Sequence, residues 1–115
     1  MIQIKRVYEQ AENNDGYRVL VDSLWPRGMK KSEVSADEWL KDIAPSASLR
    51  QWFNHDPAKW EEFKKRYKAE LKNNEATKRL KQIIKEQPVV TLVYAAKDTI
   101  HNQAAVLQHL YTFED

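Results

Sequence analysis

Cysteine is absent from the chain, which excludes disulfide frameworks, zinc ribbons and thiol nucleophiles together. Glycine is nearly absent: only Gly16 and Gly28 occur. Phosphate loops of the P-loop and dinucleotide types need two or three glycines within a few residues, so both are excluded. Any anion must therefore be met by side chains or by ordinary helix N-termini. No apolar run approaches the roughly 20 residues of a membrane helix. The start Met1-Ile2-Gln3-Ile4-Lys5 does not read as a signal peptide, and the expectation is a cytoplasmic protein with no membrane contact. The 3 histidines lack His-x-x-x-His spacing, so neither a metal nor a cofactor is expected.

A large charge of one sign is also missing, since 19 Lys and Arg face 17 Asp and Glu, net +2. The distribution is less even than the total. Residues 57–87 hold ten Lys or Arg against five Glu, net +5, and the rest of the chain carries −3. Hydrophobic residues at 42% and charged residues at 31% describe a globular chain, and 115 residues suit a single domain, 1–115.

The pattern predicts a half-exposed strand over Ile2–Tyr8 and a second strand over Tyr17–Asp22, with a polar turn between them. Met29–Glu33 reads as loop. Ser35 with Glu38 has capping-box spacing and predicts a short helix, with Trp39, Leu40 and Ile43 inward and Pro45 closing it. Ser46 can cap another short helix through Phe53. Asp56-Pro57 opens a longer one, in which Trp60, Phe63, Tyr67 and Leu71 make one buried stripe. There Glu61 and Glu62 precede Lys65 and Arg66 by four, the favourable order for surface pairs. A further helix spans about Glu75–Glu86, and a last one about His101–Tyr111. Between them Val89–Tyr94 is apolar almost throughout, as in a parallel strand covered on both faces. The order of elements predicts a small α/β domain, with Tyr17–Asp22 and Val89–Tyr94 as parallel neighbours.

Ligands of open parallel sheets gather beyond the carboxyl ends of the strands. Those ends deliver Asp22-Ser23-Leu24-Trp25-Pro26-Arg27 and Ala95-Ala96-Lys97-Asp98, with His101-Asn102 following. Small Ala95 and Ala96 leave room for a close approach. Arg27 and Lys97 are candidate anion ligands, and Arg27 could alternatively pair with Asp22 or lie over an indole. Asp98 and His101 are candidate proton-handling groups; Asp98 could equally cap the helix, and Asn102 could orient a ligand or cap. Arg50 is a further candidate, against a structural ion pair. His55 could act as a general base, bind an anion, or sit as a bonded turn residue beside Asp56. Trp39 and Trp60 read as core; Trp25 and Trp52, near loops, could stack a base or sugar or pack inward, with core packing favoured for Trp52. A Ser23-His101-Asp98 triad can be drawn, but no nucleophile elbow surrounds Ser23.

The blocks VDSLWPRG (Val21–Gly28), WLKDIAPSASLRQWFNHDPAKWEEFKKRYKAEL (Trp39–Leu71) and TLVYAAKDTIHNQAAVL (Thr91–Leu107) resemble the YeaO-like family, domain of unknown function 488. The resemblance covers nearly the whole chain. It implies a bacterial-type, Rossmann-like three-layer α/β fold, a short mainly parallel sheet flanked by helices, and it implies no activity. Many members carry Arg where this chain has Ser23, which would leave any site here one positive charge short.

The functional expectation is a pocket for a small phosphate- or nucleotide-like anion at the strand ends, with a hydrolase or transferase as the class of any catalysis. Arg27 and His101 on opposite sides of the molecule would remove that pocket. The rival is a non-catalytic module whose row Lys64, Lys68 and Lys72 contacts nucleic acid or an acidic partner, against the plainer reading of a solvated, ion-paired face. The sequence leaves the oligomeric state open.

Overall fold

The computed structural model describes residues 1–113. Strands β1 (Ile2–Arg6), β2 (Tyr17–Leu20), β3 (Glu38–Trp39) and β4 (Val90–Tyr94) form one all-parallel sheet in the order β1-β4-β2-β3. Helices α1 (Lys31–Val34), α2 (Ala47–Phe53), α3 (Trp60–Lys72), α4 (Glu75–Glu86) and α5 (Gln103–Phe113) complete a three-layer-like α/β fold. The second and last strands of the sequence are parallel neighbours, as expected, with Val19 opposite Leu92.

Every residue of β4 is buried, because the strand lies between β1 and β2 and alternates between two covered faces. Val90, Leu92 and Tyr94 join Val19 and Val21 in the larger core, which α2 to α5 supply with Leu49, Phe63, Tyr67, Leu80 and Leu107. Burial of side chains of this size stabilises the fold by about 1.5–3 kcal/mol each. Val93 faces the other way and meets Leu20, Val7 and Val34 of α1. The rest of that second face is closed by charge. Arg18, opposite Thr91 in register, bonds Asp15 at 2.6 Å and the carbonyls of Val34 and Ser35, and Lys5 reaches the same carboxylate at 3.2 Å.

The helix starts follow the sequence. Ser46 Oγ accepts the Leu49 N–H, Asp56 Oδ1 that of Ala58, and Asn74 Oδ1 that of Ala76. The stripe Phe63, Tyr67 and Leu71 is buried, with Trp60 half-buried against it. The Tyr67 hydroxyl donates to the Ile43 carbonyl at 2.6 Å. Glu62 pairs with Arg66 at 3.0 Å, but Glu61 takes Lys64 and not Lys65. The last helix begins at Gln103, after His101.

Around Ser35 the structure corrects the sequence reading. The helix there is α1, which begins within the stretch read as loop and ends at Val34, and its start is closed by Glu33 accepting the Lys30 N–H at 2.7 Å. Ser35 ends it in the left-handed conformation, φ 50°. Glu38 then serves an edge strand and a bidentate pair with Arg79, and it accepts the Tyr17 hydroxyl. A short segment gains little from helix nucleation, so pairing with β2 and this charged contact decide its form. Trp39, expected in the core, is 40% exposed. Trp52 is only partly buried, with Lys59 and Arg66 against its ring.

Candidate functional site

Parallel pairing of β2 and β4 brings their carboxyl ends together, and a cavity of about 690 Å³ opens there. Asp22, Trp25, Arg27, Arg50, His55, Lys97, Asp98, His101 and Asn102 all line it, so every candidate residue reaches one place. Arg27 and His101 share it, and α2 adds Arg50 to the strand-end groups.

Local bonds shape this end of the sheet. The Ala95 N–H donates to Asp22 Oδ2 at 2.9 Å, and Gln103 Nε2 donates to Asp22 Oδ1. Burial pushes the Asp22 carboxyl above its ordinary value, against the opposing pull of the Ala95 N–H, Gln103 and Arg50. Arg6 Nε donates to the Ala96 carbonyl at 2.9 Å, and its Nη2 reaches that of Ala95. Tyr8 donates its hydroxyl to the Arg27 carbonyl at 3.2 Å. Sequence reasoning missed Arg6, Tyr8 and Gln103 as supports, and no motif marks them. It also missed the apolar wall from Ala44, Pro45, Phe53 and Phe63, which a distant segment delivers.

Asp98 closes the turn that precedes α5 and holds the His101 ring. Its Oδ1 accepts the N–H groups of Ile100 and His101, each at 2.9 Å, and its Oδ2 meets His101 Nδ1 at 2.9 Å. The His101 N–H, the Ile100 N–H and the imidazole hold its carboxyl down at about 2. An ionised carboxylate only accepts, so Nδ1 donates to Asp98 and Nε2 is left for other contacts. The ring also sits edge-on to Trp60, centroids 5.2 Å apart. Asn102 acts as a cap: its amide accepts the Ala105 N–H and donates to the Asp98 carbonyl.

The sign of the Asp98 effect is fixed by its lowered value. Its stabilisation is complete above the ordinary 3.8 and is lost as pH falls through about 2. Asp98→Asn keeps an acceptor for the backbone and removes the charge. The variant is expected to melt lower than the parent near neutral pH, with the gap closing in acid. Thermal melts across that range check this, and a gap independent of pH would refute it.

What sets the cavity cations apart is that they share one cleft. Lys5, Arg18, Lys64, Arg66, Lys78 and Arg79 each have a carboxylate partner. Arg27, Arg50 and Lys97 form no ion pair and no side-chain hydrogen bond among the described residues. The alternative of Arg27 paired with Asp22 is thereby set aside. Asp22 uses Ala95 and Gln103 instead. His55 is exposed and left-handed at φ 54°, its ring centroid 6.5 Å from that of Phe53. Among the described residues no group of His, Asp or Glu is arranged to hold a metal.

A family model described as "Inactive DUF488-N3 subclade" matches residues 1–113. The chain belongs to the DUF488 family. It is 51% identical over 107 residues to "Uncharacterized protein YeaO" of Escherichia coli (strain K12), covering 92% of each chain. To "Uncharacterized protein Rv3073c" of Mycobacterium tuberculosis (strain ATCC 25618 / H37Rv) it is 40% identical over 109 residues, 95% of this chain and 92% of that one. No solved structure matches. This DUF488 chain spans nearly the full length of both relatives, and its cavity is built from all three sequence blocks that carried the resemblance. Among the described residues no helix is long and apolar enough to cross a membrane.

Proposed function

We propose that the strand-end cavity binds a small anionic ligand of the phosphate or nucleotide type and releases it unchanged. The observation that carries this is the convergence of Arg27, Arg50 and Lys97, all without a carboxylate partner among the described residues, on one cavity. Cations placed together in a cleft repel one another, and an anion relieves that repulsion while gaining charge-assisted hydrogen bonds. His55 and the Nε2 of His101 supply further polar contacts.

Membership of a subclade described as inactive supports binding without turnover over a hydrolase or transferase. The nucleic-acid reading has less support. Its row Lys64, Lys68 and Lys72 does not line the cavity, and Lys64 is paired with Glu61 at 2.8 Å.

A thermal-shift series with inorganic phosphate and mononucleotides tests the site. The chain is expected to be stabilised by these anions. Arg27→Ala should weaken binding by about tenfold or more, the worth of a hydrogen bond to a charged group. Charge reversal at Lys64, Lys68 and Lys72 should leave binding unchanged. Absence of stabilisation by every anion, or an Arg27→Ala protein that binds as the parent does, would defeat the proposal.

A further inference from the structure

An inorganic anion would fill a small part of this cavity. Its volume of about 690 Å³ lies within the ~300–1,000 Å³ span of pockets for drug-sized ligands. Much of the remaining wall is apolar, from Leu24, Pro26, Pro45, Phe53 and Phe63.

Trp25 lines the cavity while remaining 38% exposed. Its Nε1–H already donates to the Met29 carbonyl at 2.8 Å, and Trp39 packs edge-on to it at 5.4 Å. With that donor committed, Trp25 offers a partner only aromatic surface. Neighbouring Leu24 is 73% exposed, so the apolar surface continues beside it. An open indole next to unpaired cations suits a flat ring joined to an anion.

Asp22 adds a third kind of contact. Each carboxylate oxygen accepts one protein hydrogen bond, from Ala95 or from Gln103, and retains acceptor capacity. A carboxylate inside a cationic cavity repels a second anion and favours hydroxyl donors. A ring, hydroxyl groups and a phosphate in one molecule describe a nucleotide.

Resting on the anion-site reading above, we infer that the ligand is a nucleoside monophosphate unit. Arg27, Arg50 and Lys97 take its phosphate, Asp22 its sugar hydroxyls, and Trp25 its base. Side chains do here what glycine loops do elsewhere, in a chain with only 2 glycines. The unit could arrive as a free mononucleotide or as the phosphorylated end of a single strand, and the chemistry recognised is the same.

Calorimetric titration of the full chain with inorganic phosphate, ribose 5-phosphate, adenosine, AMP and a 5′-phosphorylated dinucleotide tests this. AMP is expected to bind about tenfold or more tighter than ribose 5-phosphate, the contribution of one base–aromatic stack. Adenosine should bind more weakly than AMP. In Trp25→Leu the preference for AMP over ribose 5-phosphate should collapse towards unity, and Trp25→Phe should keep part of it. Because the readout is a ratio within each variant, a loss of folded protein does not imitate it. Equal binding of AMP and ribose 5-phosphate by the parent, or an undiminished preference in Trp25→Leu, would overturn the inference and leave the anion site standing. Failure of every phosphate compound to bind would remove both. A dinucleotide that outbinds AMP assigns the site to strand ends, and the reverse assigns it to free nucleotides; both support the nucleotide unit.

Discussion

Asp15→Ala is expected to cost about 3–5 kcal/mol, the usual effect of leaving a buried charge without its partner. Asp15 and Arg18 are each only 3% exposed, and their pair at 2.6 Å closes the second face of the sheet. Burial pushes the Asp15 carboxyl up, but the Glu12 N–H, Lys5 and Arg18 outweigh it and hold it below the ordinary range. Its contribution is therefore present at neutral pH and is lost as pH falls below its ordinary 3.8. Truncation would leave Arg18 without its carboxylate and the Glu12 N–H without its side-chain acceptor, while Lys5 would keep only Glu12. In a chain of this size the melting temperature should drop by more than about 10 °C. Denaturant unfolding of three variants checks the cause. Glu12→Ala, which removes only the exposed partner of Lys5, should cost less than about 1 kcal/mol. Asp15→Leu combined with Arg18→Met should recover much of the loss, because no unpaired charge remains. An Asp15→Ala protein as stable as Glu12→Ala would show that this cluster is not closed to water.

Gly16→Ala is expected to be of similar size, about 3 kcal/mol or more from backbone strain together with a lost hydrogen bond. Gly16 has φ +66° and ψ −136°, a region that side chains rarely adopt. A Cβ there would meet the Val89 carbonyl oxygen and, at 2.7 Å, the Val89 Cβ. That same carbonyl accepts the Tyr17 N–H at 2.9 Å, the bond that starts the β2–β4 pairing. Relief must move one strand against the other. The far ends of those strands carry Asp22 and Ala95, whose hydrogen bond closes the base of the cavity. The variant should thus lose stability and also bind mononucleotides more weakly, although Gly16 lies at the opposite end of the sheet. Unfolding measurements paired with calorimetry read both, and an alanine variant with parental stability would contradict the steric argument.

The strands and long helices were legible because their signals are local. An unbroken apolar run marked β4, a stripe at helical spacing marked α3, and Asp56-Pro57 and Ser46 marked helix starts through bonds to nearby N–H groups. The segment from Met29 to Ile43 was misread for the converse reason. Its form depends on Leu20, Tyr17 and Arg79, which lie far off in sequence. Trp39 shows the cost of that: apolar spacing placed it inside, whereas an edge strand leaves it exposed, donating to the Asp22 carbonyl.

For the site, the sequence by itself determined which chemistry is available. Without cysteine and with 2 glycines, thiol chemistry and glycine-rich phosphate loops are excluded, which leaves arginine, lysine and histidine as the chief groups to meet an anion. The loops after two parallel strands were the place to expect them. Which of those charges stay unpaired was decided by the tertiary structure alone. Asp22 is drawn to Ala95 and Gln103, leaving Arg27 without it, while Lys64, Arg66 and Lys78 find glutamates on their own helices and Arg79 finds Glu38 on β3. A charge's partner is set by distance in space, and residue spacing along the chain fixes that distance only within a helix or a turn.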